Sequence, residues 1–428
     1  MDFIYDRENN DAVEKAIYSE FYLLLRIFAV FPSLKREHIL LTAFQLLMYN
    51  VLMWYHLLIS AFTIQVVYYE ISLFNITVHY FLLFLLVSIF LIAMLPKRKH
   101  LCRMYKISTS GFFSYDEDVE DARLEHISKE IRKERITFVL LLSLTIAIAL
   151  LAFILRPVVD KSLGYVEEGS YSELGLIQLM PIKAWYPYET HEGFIYYVTL
   201  FGQLAAAALL GGNIGCLTLI YTNSVLKLIQ QCRILMYSLE NIEARATKKF
   251  KKLYCKGQNN QKVVYDDRFH RCYYFCLRQN IIHQNIIYDY FEEMKSLLSL
   301  PLQLAIIIGT LVIALSMNEM AQGSKKLGSM MASGLLVLTE IIIIFIMSMY
   351  GEKMTKLSVQ IRECIYSIKW YKYKNPYLKN MIPIMLERTK REMVMKGPFS
   401  VANFDSFSTV INTAYSYFNV LSASKSQQ

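Results

Sequence analysis

Long stretches without acidic or basic residues constrain this chain more than any other feature of its sequence. Residues 136–155, 193–226 and 296–318 contain no Asp, Glu, Lys or Arg. About 20 consecutive apolar residues are enough to cross a bilayer as an α-helix. Charged residues make up 19% of the chain, against about 25% in soluble domains. A water-soluble globular protein is therefore excluded, and the low Gly and Pro content excludes collagen-like order and disorder.

Seven segments are apolar enough to be membrane spans, which predicts an all-α polytopic membrane protein. No signal-peptide pattern precedes the first of them. The fourth span is longer than a bilayer is thick, so we expect it to tilt or to extend beyond the lipid. The predicted spans are residues 40–67, 73–95, 136–155, 193–224, 297–315, 331–350 and 399–421.

The distribution of Lys and Arg predicts the orientation, because cytoplasmic loops collect basic residues. With a cytoplasmic N-terminus, the inner segments 1–38, 96–135, 225–295 and 351–398 hold 39 of the 45 basic residues. The C-terminus is then extracellular. This orientation excludes G-protein-coupled receptors, whose N-terminus lies outside. All seven cysteines fall in inner segments or spans, so we expect no extracellular disulfide.

The chain lacks motifs for catalysis, cofactors or metals. The side chains of His270, Cys272, Cys276 and His283 match no closed zinc spacing. Phosphate loops, nucleophile elbows and paired-His motifs do not occur. We therefore predict no enzyme activity, no catalytic residue, no cofactor, no metal site and no nucleic-acid partner. The basic run 248–252 reads as a solvated helix end, with contact to anionic lipid as the alternative.

Several short patterns in the C-terminal half resemble the insect odorant receptor family and occur in that family's order. They are His283-Gln284 before the fifth span, Tyr350-Gly351-Glu352 at the end of the sixth, Ile365-Tyr366 with Trp370-Tyr371, Lys396-Gly397-Pro398-Phe399-Ser400, and Tyr415-Ser416-Tyr417-Phe418 with Leu421. The N-terminal half agrees in span number, hydrophobicity and an acidic second outer loop.

Two other classes stay as alternatives. A gustatory-receptor-type channel subunit shares the fold, but the last span departs from the motif typical of that family. A secondary transporter would need inverted repeats, broken helices and paired intramembrane charges, whereas Glu340 and Asp405 are the acidic residues within the predicted spans. The loop between spans four and five is compact, which favours a ligand-tuned subunit over the longer shared co-receptor.

The resemblance implies an odorant-gated, non-selective cation channel subunit in the plasma membrane of insect olfactory neurons. It also implies a tetramer with co-receptor subunits. The corresponding division is an N-terminal segment (1–38), spans 1–4 with half of the ligand pocket (39–224), anchor helices (225–295), spans 5–6 (296–350), a second anchor segment (351–398), and the pore-lining span with a short outer tail (399–428). Apolar residues at helical spacing in both anchor segments support such helices independently.

The resemblance also implies that a small volatile hydrophobic ligand binds in the outer half of the bundle, among spans two, three, four and six. An apolar lining with a few hydroxyls suits binding by dispersion and shape. Only Tyr80-Phe81 resembles a pocket pair of the family, and the other residues are predicted by position. The predicted ligand-binding residues are Thr77, Tyr80, Phe81, Phe84, Ala149, Ala152, Phe153, Tyr197, Leu200, Phe201, Met331, Leu335 and Leu338.

One face of the last span is rich in hydroxyls, and such a face can hydrate a pore. At 100° per residue, the positions Ser406, Thr409, Thr413, Ser416, Val420 and Ser424 lie within an arc of about 80°. Val420 matches the family's gate residue by its position after Tyr417-Phe418, and Asp405 lies about 22 Å away along the helix, toward the cytoplasmic mouth. Close helix packing by small residues is the alternative. The predicted pore residues are Asp405, Ser406, Thr409, Thr413, Ser416, Val420 and Ser424.

Glu340 lies near the middle of the sixth span. An ionisable group at this depth costs about 2.5 kcal/mol or more. We therefore expect Glu340 to face the protein interior, where it pairs with a basic residue or stays protonated. A role in gating is the functional alternative.

Overall fold

A computed structural model describes residues 27–28, 36–116, 119, 121–165, 176, 180–188, 193–254, 266–321, 327–372, 376–397 and 400–425. Within these ranges the regular structure is helical, apart from an isolated antiparallel bridge between Lys396 and Val401. The helices are α1 (Arg36–Val67), α2 (Ile71–Met94), α3 (Arg98–Thr109), α4 (Asp121–Ser162), α5 (Gly193–Glu240), α6 (Ile242–Tyr254), α7 (Asp267–Ala321), α8 (Leu327–Ser367), α9 (Pro376–Arg388) and α10 (Phe404–Lys425), with a 3₁₀ turn at Trp370–Lys372.

The prediction of an all-α membrane protein is confirmed. Among the described residues, six helices are long and apolar enough to cross a bilayer, namely α1, α2, α4, α5, α7 and α8. The seventh predicted span corresponds to α10, which has 22 residues. Asp405 and a series of hydroxyls make α10 less apolar than the other spans.

Helices α4, α5, α7 and α8 are much longer than a bilayer requires. They contain 42, 48, 55 and 41 residues, whereas about 20 suffice to cross the hydrocarbon core. Helix α7 is therefore about 82 Å long, and it packs against α2, α3, α5, α6, α8, α9 and α10. These helices continue through the described residues without the breaks that a transporter of the inverted-repeat class would show.

The long helices extend at the end of the bundle that the charge distribution assigns to the cytoplasmic side, and these extensions form one packed unit with α3, α6 and α9, which we call the anchor. Its core contains the residues that the sequence placed at helical spacing, Leu228, Leu235, Leu239, Ile361 and Ile365, and each is at most 1% exposed. These side chains therefore pack within one chain. The run 248–252 lies on α6, where Phe250 is buried and Lys249 forms an ion pair with Asp116.

Polar contacts explain the His283-Gln284 pair of the anchor. His283 is fully buried and contacts Gln231 on α5 through Nε2, at 3.0 Å, and the Tyr115 hydroxyl through Nδ1, at 2.8 Å. The Gln284 side chain donates a hydrogen bond to the carbonyl oxygen of Met385 on α9, at 3.1 Å. The pair thus ties α7 to three other parts of the anchor.

A second cluster of buried apolar side chains lies at the opposite end of the bundle, which the charge distribution assigns to the extracellular side and which we call the outer end. It includes Tyr80 and Phe84 on α2, Phe153 on α4 and Ile182 in the segment 180–188. This outer cluster is separate from the anchor core, although partly buried Ile214 packs against both.

Candidate functional site

A cavity of about 80 Å³ lies between α2, α4, α5 and α8. It is several times larger than the roughly 10–15 Å³ that one water molecule needs. Three of the four helices present the same i, i+3, i+4, i+7 pattern, which is one face of a helix. The lining residues are Tyr80, Leu83, Phe84, Ile146, Ala149, Leu150, Phe153, Ile182, Ala207, Leu210, Gly211, Ile214, Leu336, Thr339, Glu340 and Ile343.

The segment 180–188 closes part of the cavity, with Ile182 on its wall. The Gln203 side chain on α5 fixes this segment, because its amide nitrogen donates to Ile182 O and its amide oxygen accepts from Ile182 N, both at 2.9 Å. Gln203 also donates to the Tyr186 hydroxyl at 2.9 Å. The backbone N–H of Trp185 donates to Thr63 on α1 at 3.0 Å. No pattern in the sequence indicates that this loop contributes to the site.

A buried polar network borders the cavity at Tyr80. Arg156 on α4 is 4% exposed, and its guanidinium donates to the Tyr80 hydroxyl at 3.2 Å, to Ser329 on α8 at 2.9 Å and to Glu319 on α7 at 3.2 Å. Asp160 accepts hydrogen bonds from the backbone N–H of Gly328 and the hydroxyl of Ser329. The planar fork of Arg156 thus joins four helices at the outer end.

The predicted third span ends at residue 155, which leaves Arg156 in the outer loop. The structure instead places it within α4. Helix α4 continues to Ser162, and the carboxylates of nearly buried Glu319 and buried Asp160 compensate the charge. A buried pair with good geometry is tolerated inside a helical bundle, whereas an isolated charge is not.

The predicted ligand-binding residues fall into three groups. Tyr80, Phe84, Ala149 and Phe153 line the cavity. A second group is buried or half-buried in the bundle but away from this lining, namely Thr77, Phe81, Ala152, Leu200 and Leu335. The third group points to the outside of the single chain and is more than half exposed, namely Tyr197, Phe201, Met331 and Leu338.

On α8, the predicted ligand-binding residues differ from the residues that line the cavity, and the difference has a physical reason. The prediction of Met331, Leu335 and Leu338 rests on their depth in the membrane, and depth does not determine the side of the helix. Glu340 would have given the direction, since a mid-membrane carboxyl faces the interior. Counting three and four residues from Glu340 gives Leu336 and Ile343, and both line the cavity.

Helix α10 packs against α7 and α8 through one face, on which Val410 and Ala414 are buried. The opposite face is exposed in the single chain and includes Asp405, Thr409, Ser416 and Val420. Ser406 and Thr413 are half-buried. The side chain of Ser424 lies outside the described part of the structure. The exposed face also includes Ser408, Asn412 and Asn419, which the sequence analysis left out.

Close packing explains why glycine occupies the central position of Tyr350-Gly351-Glu352 and the second position of Lys396-Gly397-Pro398-Phe399-Ser400. A Cβ atom on Gly351 of α8 would overlap the carbonyl oxygen of Ala402, and one on Gly397 would overlap the side chain of Gln303 on α7. Gln303 donates to the carbonyl oxygen of Ser400 at 2.5 Å. The chain that leads into α10 is thus held closely against α7 and α8.

The metal-capable side chains of the anchor are not brought together. Cys272 and Cys276 are buried in the anchor core, and no group of three or more His, Cys, Asp or Glu side chains could hold a metal ion in the described part of the chain. Six of the seven cysteines are described, and these six are free thiols.

Long helices that are apolar enough to cross a membrane, packed around an internal apolar cavity, define a polytopic helical membrane protein. The family model described as 7tm Odorant receptor matches residues 113–415. The chain therefore belongs to the odorant receptor family, which confirms the resemblance found in its sequence. This is a family of receptors and channels and not of enzymes.

Solved structures agree with this assignment at the level of the fold. The insect olfactory receptor OR5 from Machilis hrabei in complex with eugenol matches with a TM-score of 0.76 and 13% identity, over 95% of this chain and 98% of the receptor. The structure described without eugenol matches with a TM-score of 0.74 and 13% identity, over 95% of this chain and 99% of that one. No curated protein sequence matches the chain.

Proposed function

We propose that the chain is an odorant-gated, non-selective cation channel subunit of insect olfactory neurons, with its ligand in the cavity between α2, α4, α5 and α8. The observation that carries the proposal is the cavity itself, which has an almost wholly apolar wall and a cover formed by the segment 180–188. Apolar pockets with few polar groups suit small hydrophobic ligands. The similar OR5 structure in complex with eugenol supports a ligand inside this fold.

The proposal places this chain in a tetramer with co-receptor subunits at the plasma membrane, with α10 along the central axis. Its support is the exposed polar face of α10, since hydroxyls and a carboxylate on a membrane helix need water or polar partners. The concentration of Lys and Arg in the inner segments supports a cytoplasmic N-terminus and an extracellular C-terminus. Exposed Tyr366 and Tyr371 beside the anchor fit contact with other subunits.

The test is electrophysiological recording from cells that express this chain with a co-receptor, across eugenol and a panel of aliphatic alcohols, esters and ketones. The Phe153→Ala variant should raise the half-maximal concentration of an effective ligand about 10- to 100-fold, because a lost buried aromatic contact costs about 1–3 kcal/mol. Phe194→Ala serves as the control, since Phe194 is 82% exposed on α5 and away from the cavity.

Two results would contradict the proposal. One is the absence of any ligand-evoked current when the chain reaches the cell surface and the co-receptor responds to its own agonist. The other is an unchanged ligand ranking and sensitivity in Phe153→Ala and Tyr80→Ala together, which would place the binding site elsewhere.

A further inference from the structure

The Glu340 carboxyl group lies where two cavities meet. The cavity of about 80 Å³ and a second one of about 30 Å³ share Ile214, Glu340 and Ile343 in their walls. The second cavity extends between α2, α5, α7 and α8 and is otherwise lined mainly by aliphatic side chains, with Asn213 as its other polar member. Oε2 of Glu340 lies against α7, 3.5 Å from the position that a Cβ atom on Gly309 would occupy.

The protein supplies no partner for this carboxyl group among the described residues. Neither a hydrogen bond nor an ion pair reaches Glu340, and no Lys, Arg or His lines either cavity. Arg156 at the outer end directs its guanidinium to Tyr80, Ser329 and Glu319 instead. Glu340 is half-buried on a membrane-spanning helix, where a carboxyl group without a partner is costly. Its position on a cavity wall therefore points to a ligand that satisfies it.

A second acceptor without a partner lies in the same region. Asn213 on α5 is 1% exposed and lines the smaller cavity. Its amide nitrogen donates to the carbonyl oxygen of Leu209 at 2.7 Å, but its amide oxygen Oδ1 has no hydrogen-bond partner within the described structure. The hydroxyl of Thr339 also donates within its own helix, to Leu335 at 2.8 Å. The cavity walls therefore offer acceptors that lack donors.

We propose that this receptor selects volatiles that carry a hydrogen-bond donor on a small apolar body, namely alcohols and amines, and that the donor binds Glu340. The aromatic and aliphatic side chains around Phe84 and Phe153 hold the apolar body. Asn213 accepts a second hydrogen bond only from an amine, because an alcohol has a single O–H to donate. This inference rests on the proposed function, since it names the ligand class of the same cavity. Molecules of the same size without a donor leave both acceptors unsatisfied and bind weakly.

A matched set of probes tests the ligand class on the unaltered full-length protein, purified and reconstituted in lipid nanodiscs. The probes are 1-hexanol, hexylamine, methyl pentyl ether and heptane, which have the same number of heavy atoms. Affinities from thermal-shift titrations should be about 10- to 100-fold tighter for the alcohol and the amine than for the ether and the alkane. Equal affinities for alcohol and ether, or no binding of alcohol and amine, would overturn the proposal.

Variants of Glu340 separate charge from hydrogen bonding. Glu340→Gln keeps an acceptor but removes the charge, so the amine should lose more than about 10-fold in affinity while the alcohol changes by less than about threefold. Glu340→Leu should reduce alcohol binding to the level of the ether. Glu363→Gln is the matched control, because it makes the same chemical change at an exposed position of α8. Alcohol binding of normal strength in Glu340→Leu would overturn the proposal.

This binding experiment is independent of channel opening. Donor-dependent binding without any ligand-evoked current in the recordings would contradict the proposed function and leave the binding site intact. Currents evoked equally by ethers, alkanes and alcohols would support the proposed function and contradict the role of Glu340.

Discussion

At the scale of single residues, His283 shows how the anchor controls a titratable group. Its Nε2–H donates to Gln231, its Nδ1 accepts from Tyr115, and the ring of Phe113 stacks on it at 5.5 Å between ring centroids. Burial lowers the pKa of His283 to about 3. The side chain lies before the membrane-spanning part of α7, and it is neutral at physiological pH because a charged imidazolium would be desolvated without an acidic partner.

This arrangement predicts a loss of stability in acid. The unfolded chain binds a proton at His283 near pH 6.5, whereas the folded chain does not until about pH 3. Stability is therefore full above pH 6.5 and falls as the pH decreases, by up to about 1.4 kcal/mol per pH unit from this group. The unfolding temperature of the purified protein should therefore fall as the pH is lowered from 7.5 to 4.5. His283→Gln should flatten this dependence, and His126→Gln, at an exposed position, should leave it unchanged. If the unfolding temperature depends equally on pH in the wild-type protein and in both variants, His283 is not the group responsible.

At the scale of helices, the contact between α8 and the chain before α10 depends on Gly351. Because the position of a Cβ atom there is occupied by the carbonyl oxygen of Ala402, which is backbone, the clash is relieved only by moving α10 away from α8. Gly351→Ala should therefore destabilise this contact by about 1–3 kcal/mol.

The expected result for Gly351→Ala is a change in channel opening, read as altered basal or maximal current at normal surface expression. Gly202→Ala is the matched control, because nothing lies within 4 Å of a Cβ atom there. Wild-type currents and unfolding temperature in Gly351→Ala would show that α10 is not held by this contact.

The sequence predicted the helices of this fold better than the sides that they turn to one another. Charge-free stretches locate spans because a charge in lipid is costly, and this reasoning found six strongly apolar helices and α10. It does not orient a helix that is apolar all round, so Phe201 and Leu338 were predicted to bind ligand although they face outward in the single chain. The contribution of Ile182 depends on hydrogen bonds to Gln203, which join residues 21 positions apart and leave no periodic signal.

At the scale of the whole molecule, the exposed face of α10 predicts the ion pathway of the assembled channel. Val420 is 67% exposed in the single chain, and an apolar ring surrounded by hydroxyls can close a pore by excluding water. Val420→Ser in a complex with the co-receptor should raise the ligand-independent current or change ion selectivity. Asp405→Asn should lower cation conductance and leave the ligand ranking unchanged, because a carboxylate at the mouth attracts cations.

Ser408→Ala and Tyr415→Phe each remove one hydroxyl group from an exposed position of α10. Ser408 belongs to the exposed face of α10, and Tyr415 is also exposed. If the current depends on hydroxyls along the pore, Ser408→Ala should change conductance. Normal basal current and permeability in Val420→Ser and Asp405→Asn would remove α10 of this subunit from the pore wall.

The separation of the outer cluster from the anchor core has a consequence for how such receptors diversify. Tyr80, Phe84, Phe153 and Ile182 belong to one cluster of buried side chains, and the contacts of His283 and Gln284 belong to the other. Substitutions at distant sites without shared partners act almost independently on stability. In a duplicated gene, substitutions in the outer cluster can therefore reshape the cavity while the contacts of the anchor are kept.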